Sequence, residues 1–441
     1  MTPQNAAQSR ANQEDNMLHQ NDLKHIAHSQ TLLMNEQSRI MESEGRDIYK
    51  LGFGQSPFQP PEHVTSALRN AAQTHGYTPV AGLPELREAI AAFHSEMDER
   101  NVSADQVLVG PGSKTLIFNT LLAFNDAAVL IPAPAWVSYA PQAKLTGHGI
   151  VPIPARFEDR WHITPDTLDK ACAQLPPSQN KILILNTPGN PDGLAYTREE
   201  LTALAHIFEK HGIWVIADEL YAPIHHTGQH VCLADIYPDR ALVTSGMSKW
   251  AAAGGWRLGL QILPDNVPQN LKNTLLGIAS ETFSCAAAPV QQAAIKAYVW
   301  NDTLRHYLAC QRMILGTVGR AASAALNKAG LRVHDPEGGF YLIADFSPLA
   351  ESLRGKDIVS DMTLCSRLLH ETGVALLPGT AFGLPATALT ARLAYVDFDG
   401  TALMQALNGL DLNSAAAGTT VRRHTERMTK GLNLLCDWVK S

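Results

Sequence analysis

Seven short apolar runs constrain the fold of this chain more than any other feature of its sequence. In chain order they read "QVLVG", "AAVLIP", "GIVPIP", "KILILN", "IWVIAD", "ALVTS" and "LGLQIL", and helix-like patterns separate them. Most of the runs lack the alternation of apolar and polar residues that marks a strand with one exposed face. Strands that are buried on both faces are typical of a parallel or mixed sheet covered by helices. The runs therefore predict an α/β domain.

The chain divides into segments of different character. Residues 1–45 are rich in Gln, Asn and His and are predicted to form an arm that leads into the fold. Gly and Pro punctuation begins with "DIYKLGFGQSPFQPPEHV", so residues 46–75 are assigned to the N-terminal part of a small domain. Residues 76–300 hold the apolar runs and form the predicted large domain. Residues 301–441 form the C-terminal part of the small domain, because "GLRVHDPEGGFYLIADF" and "TGVALLPG" indicate antiparallel strands among helices.

The charge and composition of the chain exclude several kinds of partner. Its 35 basic residues against 42 acidic ones give a net charge of −7, and the basic residues form no block. Nucleic acids and anionic membranes attract basic surfaces, so the expected partner is a small molecule instead. The N-terminus lacks the apolar core of a signal peptide, and no apolar run reaches the roughly 18 residues of a membrane span. The six cysteines lie without the paired spacing of a metal or redox site, so reduced thiols and a cytoplasmic location are expected.

Polar residues follow several of the apolar runs at the point where each run ends. "IWVIAD" ends in Asp218, with Tyr221 three residues later, and "ALVTS" leads into Lys249. "KILILN" ends in Asn186, and Asn190 follows in the loop "TPGNPDG". Because ligands of open α/β sheets bind beyond the carboxyl ends of the strands, these residues are expected to share one site. Each of them alone also fits a structural role, an aspartate as a helix cap and an asparagine as a turn former.

A second group of residues is suited to a phosphate. "LVGPGSKTLIFNTLL" indicates a strand, a glycine turn and a helix start, where free amides and the helix dipole favour an anion and Ser113 adds a hydroxyl. Arg257 follows Lys249 across "WAAAGGW". An amine for a Schiff base, a carboxylate for a pyridinium nitrogen, an asparagine for a phenolic oxygen and a phosphate site together match pyridoxal phosphate. The combination predicts this cofactor.

The order of these motifs resembles that of the class I and II aminotransferases, a fold-type I family of pyridoxal phosphate enzymes that includes aspartate aminotransferase. The shared motifs are "YTPVAGLPELREAI", "NTPGNPDG", "ADELY", "SGMSK", "GGWRLG", "PEGGFYL", "LPGTAFG" and "ARLAYV", and the match runs from about Asp47 to the C-terminus. The resemblance implies an α/β large domain with a mixed, mostly parallel seven-stranded sheet between helices, in keeping with the seven runs. It also implies a smaller α+β domain built from the N- and C-terminal segments, and a homodimer with shared active sites.

The resemblance further implies a role for individual residues. Lys249 would form the Schiff base and then carry the proton between the substrate's α-carbon and the cofactor. Asp218 would keep the pyridine nitrogen protonated, and Asn190 and Tyr221 would bind the phenolic oxygen. The residues implied for the phosphate and the ring are Gly112, Ser113, Lys114, Trp136, Ser248 and Arg257, with Tyr77 reaching across from the neighbouring subunit. Those implied for the substrate carboxylate are Gly54, Asn190 and Arg392.

Among the departures from the family pattern, two concern the predicted cofactor site. The usual "NPTG" is "NPDG" here, which places an extra carboxylate, Asp192, beside the cofactor loop. Gly246 stands where many members have a phosphate-binding serine, and Ser245 or Ser248 is the candidate replacement.

More than one reaction is open on this resemblance. The preferred interpretation is transfer of an amino group between an α-amino acid and a 2-oxo acid by a ping-pong route. The alternative is β- or γ-elimination or replacement, as in a carbon–sulfur lyase or a relative of aminocyclopropane-carboxylate synthase. A ligand-sensing regulator is disfavoured, because the arm shows no helix-turn-helix pattern. No second arginine can be placed for the side chain of a dicarboxylic substrate.

Overall fold

The computed structural model describes residues 30–441, and its centre is a sheet of seven strands. The strands are β1 (Val107–Gly110), β2 (Ala128–Ala133), β3 (Gly149–Pro154), β4 (Lys181–Asn186), β5 (Trp214–Asp218), β6 (Ala241–Gly246) and β7 (Gly259–Ile262). Their order is β1-β7-β6-β5-β4-β2-β3, and β7 runs antiparallel to both of its neighbours while the pairs from β6 to β3 are parallel. The predicted mixed, mostly parallel seven-stranded sheet is confirmed.

Successive residues of the central strands face opposite layers of the fold. In β4, Ile182 and Ile184 belong to the apolar cluster on one face of the sheet. Leu183 and Leu185 belong to the main core on the other face. Both faces are covered, so the run "KILILN" shows no polar alternation.

Strand β3 departs from the expectation that the runs are buried on both faces. It lies at the edge of the sheet, and Ile153 is the one fully buried residue of its six. An edge strand has a single neighbour, so its outer residues stay in contact with solvent. Pro152 and Pro154 lack an N–H donor, which an edge strand tolerates and a central strand does not.

Helices surround the sheet and build most of the remaining structure. They are α1 (Gln30–Ser43), α2 (Glu62–Ala71), α3 (Pro84–Met97), α4 (Ser113–Leu122), α5 (Tyr139–Leu145), α6 (Pro165–Ala173), α7 (Arg198–His211), α8 (Gln269–Thr282), α9 (Ala288–Ala297), α10 (Asp302–Lys328), α11 (Ala350–Arg354), α12 (Asp361–Thr372), α13 (Gly400–Ala406), α14 (Ala415–His424) and α15 (Glu426–Lys440). Between residues 30 and 441, no helix combines the length and apolar character that crossing a membrane requires.

A second, smaller unit combines the first and the last parts of the described residues 30–441. Its antiparallel sheet has the order β8 (Tyr341–Asp345), β10 (Thr390–Ala394) and β9 (Leu377–Pro378). The N-terminal segment joins this unit, because Tyr49 forms a parallel bridge with Val374. The smaller α+β domain is therefore confirmed.

The boundaries proposed for the four segments stay predictions. Residues 1–29 of the predicted arm, 1–45, lie outside the described residues. From Gln30 onward the arm forms α1, in which Met34 and Met41 are buried.

Candidate active site

Two adjoining cavities lie at the carboxyl ends of the central strands. The inner cavity, of about 150 Å³, is lined by residues that include Asn190, Asp218, Tyr221, Lys249, Tyr341 and Arg392. The outer cavity, of about 640 Å³, is lined by residues that include Lys114, Ser248 and Arg257. The residues that line both include Gly54, Ser113, Trp136 and Lys249. The structure thus brings together most of the residues that the sequence singles out.

Asp218 ends strand β5, and its carboxylate is buried in the inner cavity. The Tyr139 hydroxyl donates to Oδ2 over 2.7 Å, whereas Oδ1 has no hydrogen-bond partner. Burial raises the pKa of Asp218 to about 6, although the hydrogen bond from Tyr139 opposes the shift. A buried oxygen without a partner requires a donor, and the protonated nitrogen of a pyridine ring is such a donor.

Asn190 is held in place by its neighbour at the end of strand β4. The Asn186 side-chain amide donates to the Asp218 carbonyl oxygen over 2.6 Å, and its Oδ1 accepts from the Asn190 backbone N–H over 2.7 Å. The Asn190 side-chain oxygen in turn accepts a hydrogen bond from Arg392 over 2.9 Å. These hydrogen bonds link the end of β5 to the guanidinium of Arg392.

Arg392 lies on strand β10 and is almost completely buried. Besides Asn190, its guanidinium donates to the Gly52 carbonyl over 2.7 Å, and it lies 4.4 Å from the Tyr341 ring centroid. Burial lowers the pKa of Arg392, and within residues 30–441 no carboxylate pairs with it. A buried guanidinium with no anion beside it is suited to a substrate carboxylate.

Lys249 follows strand β6 and lines both cavities. Its Nζ donates to the Gly54 carbonyl over 2.7 Å and lies 5.3 Å from the centroid of the Phe340 ring. The Gly54 carbonyl is thus bound to the lysine. A carbonyl oxygen accepts hydrogen bonds and cannot donate one to a substrate carboxylate. The predicted role of Gly54 in binding that carboxylate therefore stays a prediction.

The residues predicted for the phosphate meet at the start of helix α4. Gly112 has a φ of +93°, a backbone conformation that favours glycine, and it lies directly against the Arg257 guanidinium, which a Cβ here would displace. Ser113 is the first residue of α4 and is buried. Lys114 and Ser248 line the outer cavity together with Arg257. Free amides at a helix start, with a guanidinium beside them, suit a phosphate.

Gly246 departs from the family pattern for a steric reason. It ends β6 and pairs with Gly259 of β7. A Cβ at Gly246 would lie 2.9 Å from both the Gly259 Cα and the Leu258 carbonyl oxygen, so a serine does not fit unless the backbone moves. Of the two candidate replacements, Ser248 lines the outer cavity, whereas Ser245 is buried within β6.

Comparison with known proteins identifies the family. A family model described as "Aminotransferase class I and II" matches residues 46–396. The chain belongs to this family. It is 33% identical over 374 residues to the aspartate/prephenate aminotransferase of Cereibacter sphaeroides, which covers 82% of this chain and 91% of the relative. It is 32% identical over 385 residues to the aspartate aminotransferase of Bacillus sp. (strain YM-2), with 85% and 94% covered.

The structure of this aminotransferase is also similar to solved ones. It matches aspartate aminotransferase from Thermus thermophilus with maleate at a TM-score of 0.76 and 26% identity, covering 93% of this chain and 100% of the other. The predicted family, cofactor and reaction are confirmed: the protein is a pyridoxal phosphate-dependent enzyme that moves an amino group between an amino acid and a 2-oxo acid. These relatives are named aminotransferases, which favours transfer over elimination or replacement.

The described residues of this aminotransferase fit the cofactor. The unpaired Oδ1 of Asp218 matches a ring nitrogen that carries a proton. The Arg257 guanidinium, which packs against Gly112 and lines the outer cavity beside the start of α4, matches a phosphate. Trp136 lines both cavities between these two places, where an aromatic ring can pack on a pyridine.

Two tyrosines of the site escaped the sequence analysis. Tyr139 begins α5 and packs edge-on against Trp136, with 5.3 Å between ring centroids. Its signal is its place three residues after Trp136, which does not reveal that its hydroxyl faces Asp218. Tyr341 begins β8 and stands in the motif "PEGGFYL", so the family match contains its signal.

Tyr77 is a predicted cofactor residue that the chain does not bring to its own cavities. Tyr77 lies between α2 and α3 and is 92% exposed. It is not among the residues that line the inner or the outer cavity. A role for Tyr77 at the phosphate therefore requires a second subunit.

Asp192, the departure in "NPDG", lies behind the cofactor loop. Its Oδ1 accepts from the Leu194 backbone N–H over 2.7 Å, and the side chain folds against Gly189. It lines a small cavity of about 20 Å³ with His162 and Tyr196, and this cavity adjoins the inner one at Asn190. Burial raises the pKa of Asp192 to about 6, with the His162 side chain opposing the shift.

Proposed function

We propose that Lys249, Asp218 and Arg392 form the reacting centre of this aminotransferase. The observation that carries the proposal is that an amine, a buried carboxylate with an unpaired oxygen and a guanidinium without a carboxylate partner line one cavity. Arg392 would bind the substrate's α-carboxylate through its planar fork. Lys249 would take the proton from the α-carbon and return it, as general base and then general acid.

The remaining residues would hold the cofactor so that this proton transfer is productive. When bound, pyridoxal phosphate acts as an electron sink for the α-carbon. Asp218 would maintain the positive charge on the ring nitrogen, and Asn190 and Tyr221 would bind the phenolic oxygen. The residues proposed for the phosphate and the ring face are Gly112, Ser113, Ser248, Arg257 and Trp136.

We further propose that the amino donor is a dicarboxylic amino acid such as aspartate, as the names of the relatives suggest. The outer cavity supports this proposal, because three cations line it: Lys114, Lys249 and Arg257. A phosphate accounts for Arg257, and Lys249 is the reacting amine. Lys114 is left for a second carboxylate, with its Nζ 4.9 Å from the Trp136 ring centroid and its pKa lowered by burial and by the charges of Arg257 and Lys249.

The proposal is tested with Lys114→Met, which keeps much of the side-chain volume and removes the charge. We expect KM for aspartate to rise roughly 10-fold or more, as for the loss of one charge-assisted contact, while KM for asparagine changes little. Lys170→Met, an exposed lysine on α6, is the matched control. The affinity for pyridoxal phosphate is measured alongside. Equal effects on both donors together with weaker cofactor binding would return Lys114 to the phosphate, as the family resemblance implies.

We also propose that the enzyme is a homodimer in which each subunit completes the site of its partner. The support is the position of Tyr77, exposed on the surface and outside the cavities of its own chain. Large aromatic side chains are enriched in protein interfaces.

A further inference from the structure

Tyr341 is a polar residue of the inner cavity for which the proposed function has no task. Its hydroxyl lies 3.4 Å from the Gly54 carbonyl oxygen and 3.4 Å from the Tyr221 hydroxyl, at long hydrogen-bond distance. The same Gly54 carbonyl oxygen accepts a hydrogen bond from the Lys249 amine over 2.7 Å. The Lys249 amine and the Tyr341 hydroxyl therefore meet at the Gly54 carbonyl oxygen, and Tyr341 is buried.

The charges around Tyr341 distinguish it from Tyr221. Burial raises the pKa of Tyr341, but the charges of Lys249 and Arg392 and hydrogen bonds from Tyr221 and Lys249 outweigh burial, so the pKa lies below its usual value. For Tyr221, burial and the neighbouring Tyr341 raise the pKa well above its usual value. Of the two adjacent phenols, Tyr341 is the more acidic, because the charges of Lys249 and Arg392 outweigh burial at Tyr341 and do not at Tyr221.

Gly54 is shaped for this arrangement. A Cβ at Gly54 would overlap the hydroxyl of Tyr341. The absence of a side chain therefore lets the hydroxyl come within reach of the carbonyl that binds Lys249. The close approach of the Tyr341 hydroxyl to Gly54 does not depend on the charges of Lys249 and Arg392.

We propose that the Gly54 carbonyl and the Tyr341 hydroxyl form a docking site for the Lys249 amine when that amine is not covalently bound, and that Tyr341 exchanges a proton with it. In this exchange an Nζ–H bond of the ammonium breaks and an O–H bond forms on the phenolate. The products are a neutral amine and a neutral phenol. A neutral amine is the form that can accept the proton of the substrate's α-carbon. The inference rests on the role proposed above for Lys249.

The first experiment is an ultraviolet titration of the tyrosines in the full-length, cofactor-free chain. We expect one tyrosine of the wild type to ionise at lower pH than the others. Tyr341→Phe removes this ionisation and keeps the ring beneath Arg392. Lys249→Met moves it to higher pH, because the stabilising positive charge is lost. Tyr298→Phe, a fully buried tyrosine outside both cavities, is the control and leaves it unchanged.

The second experiment is the steady-state kinetics of the holoenzyme. Tyr341→Phe is expected to lower kcat about 100-fold, at the lower end for loss of a proton-transfer partner, with KM for the donor and the affinity for the cofactor nearly unchanged. An unchanged titration or an unchanged kcat would each overturn the proposal. Lys249→Met separates this failure from that of the proposed function: if it is inactive while Tyr341→Phe is normal, the docking site alone is wrong. Retained activity in Lys249→Met would remove the role of Lys249 itself.

Discussion

The carboxylate of Asp192 is a buried charge with few partners. One backbone N–H donates to it, and the neighbouring His162 side chain opposes the effect of burial on its pKa. Its pKa of about 6 exceeds the ordinary value of 3.8, so the folded protein binds this proton more tightly than the unfolded chain does. Protonation therefore adds stability at low pH, and this contribution is lost as the pH rises through about 6.

We predict that Asp192→Asn stabilises the cofactor-free protein at neutral and alkaline pH. The amide keeps an acceptor for the Leu194 N–H and carries no charge. The gain in free energy of unfolding should be on the order of 1–3 kcal/mol above pH 6 and should shrink as the pH falls below that value. Denaturant unfolding at several pH values measures it, with Asp437→Asn on the exposed face of α15 as control. A gain that is absent, or that persists at acid pH, would show that Asp192 is not charged in the fold.

Among the elements, the proposed phosphate site depends on how closely β7 approaches the start of α4. Gly259 of β7 has no side chain, and a Cβ there would overlap backbone atoms of Gly112 and Ser113. Backbone atoms cannot rotate away as a side chain can, so a larger residue must displace the helix start.

Gly259→Ala is therefore predicted to lower the free energy of unfolding by about 1–3 kcal/mol, as overpacking does, and to weaken the binding of pyridoxal phosphate. Thermal unfolding and cofactor titration measure the two effects. Gly277→Ala is the matched control, because Gly277 lies on the exposed face of α8 with no atom near its added Cβ, and this substitution should raise stability by about 1 kcal/mol. Normal cofactor affinity in Gly259→Ala would show that the helix start does not bind the phosphate.

The elements also show what could be predicted from the sequence. The apolar runs predicted the sheet because strands buried on both faces need apolar residues at every position. The polar residues that follow several of the runs marked the cavity. Asp218 was found in this way. The hydroxyl of Tyr139 was not, because the packing of α5 against β2 and β3 decides where it points. Gly246 was recognised as a departure from the family pattern. Its steric reason is the close approach of β7, which becomes the neighbour of Gly246 only in the folded sheet.

At the scale of the whole molecule, the shared active site is the prediction with the sharpest test. Lys249→Ala and Tyr77→Ala chains should each be nearly inactive. In a hybrid dimer, one site carries both lesions and the other carries neither, because two-fold symmetry exchanges the roles of the subunits. Mixing the two variants under conditions that allow subunit exchange should therefore restore activity, up to the share set by random pairing. If exchange is verified and activity does not return, Tyr77 does not act across an interface. The four segment boundaries and the cytoplasmic location also stay predictions.

A single turnover of the holoenzyme with aspartate and no acceptor tests the proposed reaction most directly. If Lys249, Asp218 and Arg392 act as proposed, each active site releases one molecule of the 2-oxo acid and keeps the amino group on the cofactor as pyridoxamine phosphate. Lys249→Ala should abolish the conversion. Mass spectrometry of the cofactor and an assay of the oxo acid measure both products. No release of the 2-oxo acid, with the cofactor unchanged, would contradict the proposed transfer.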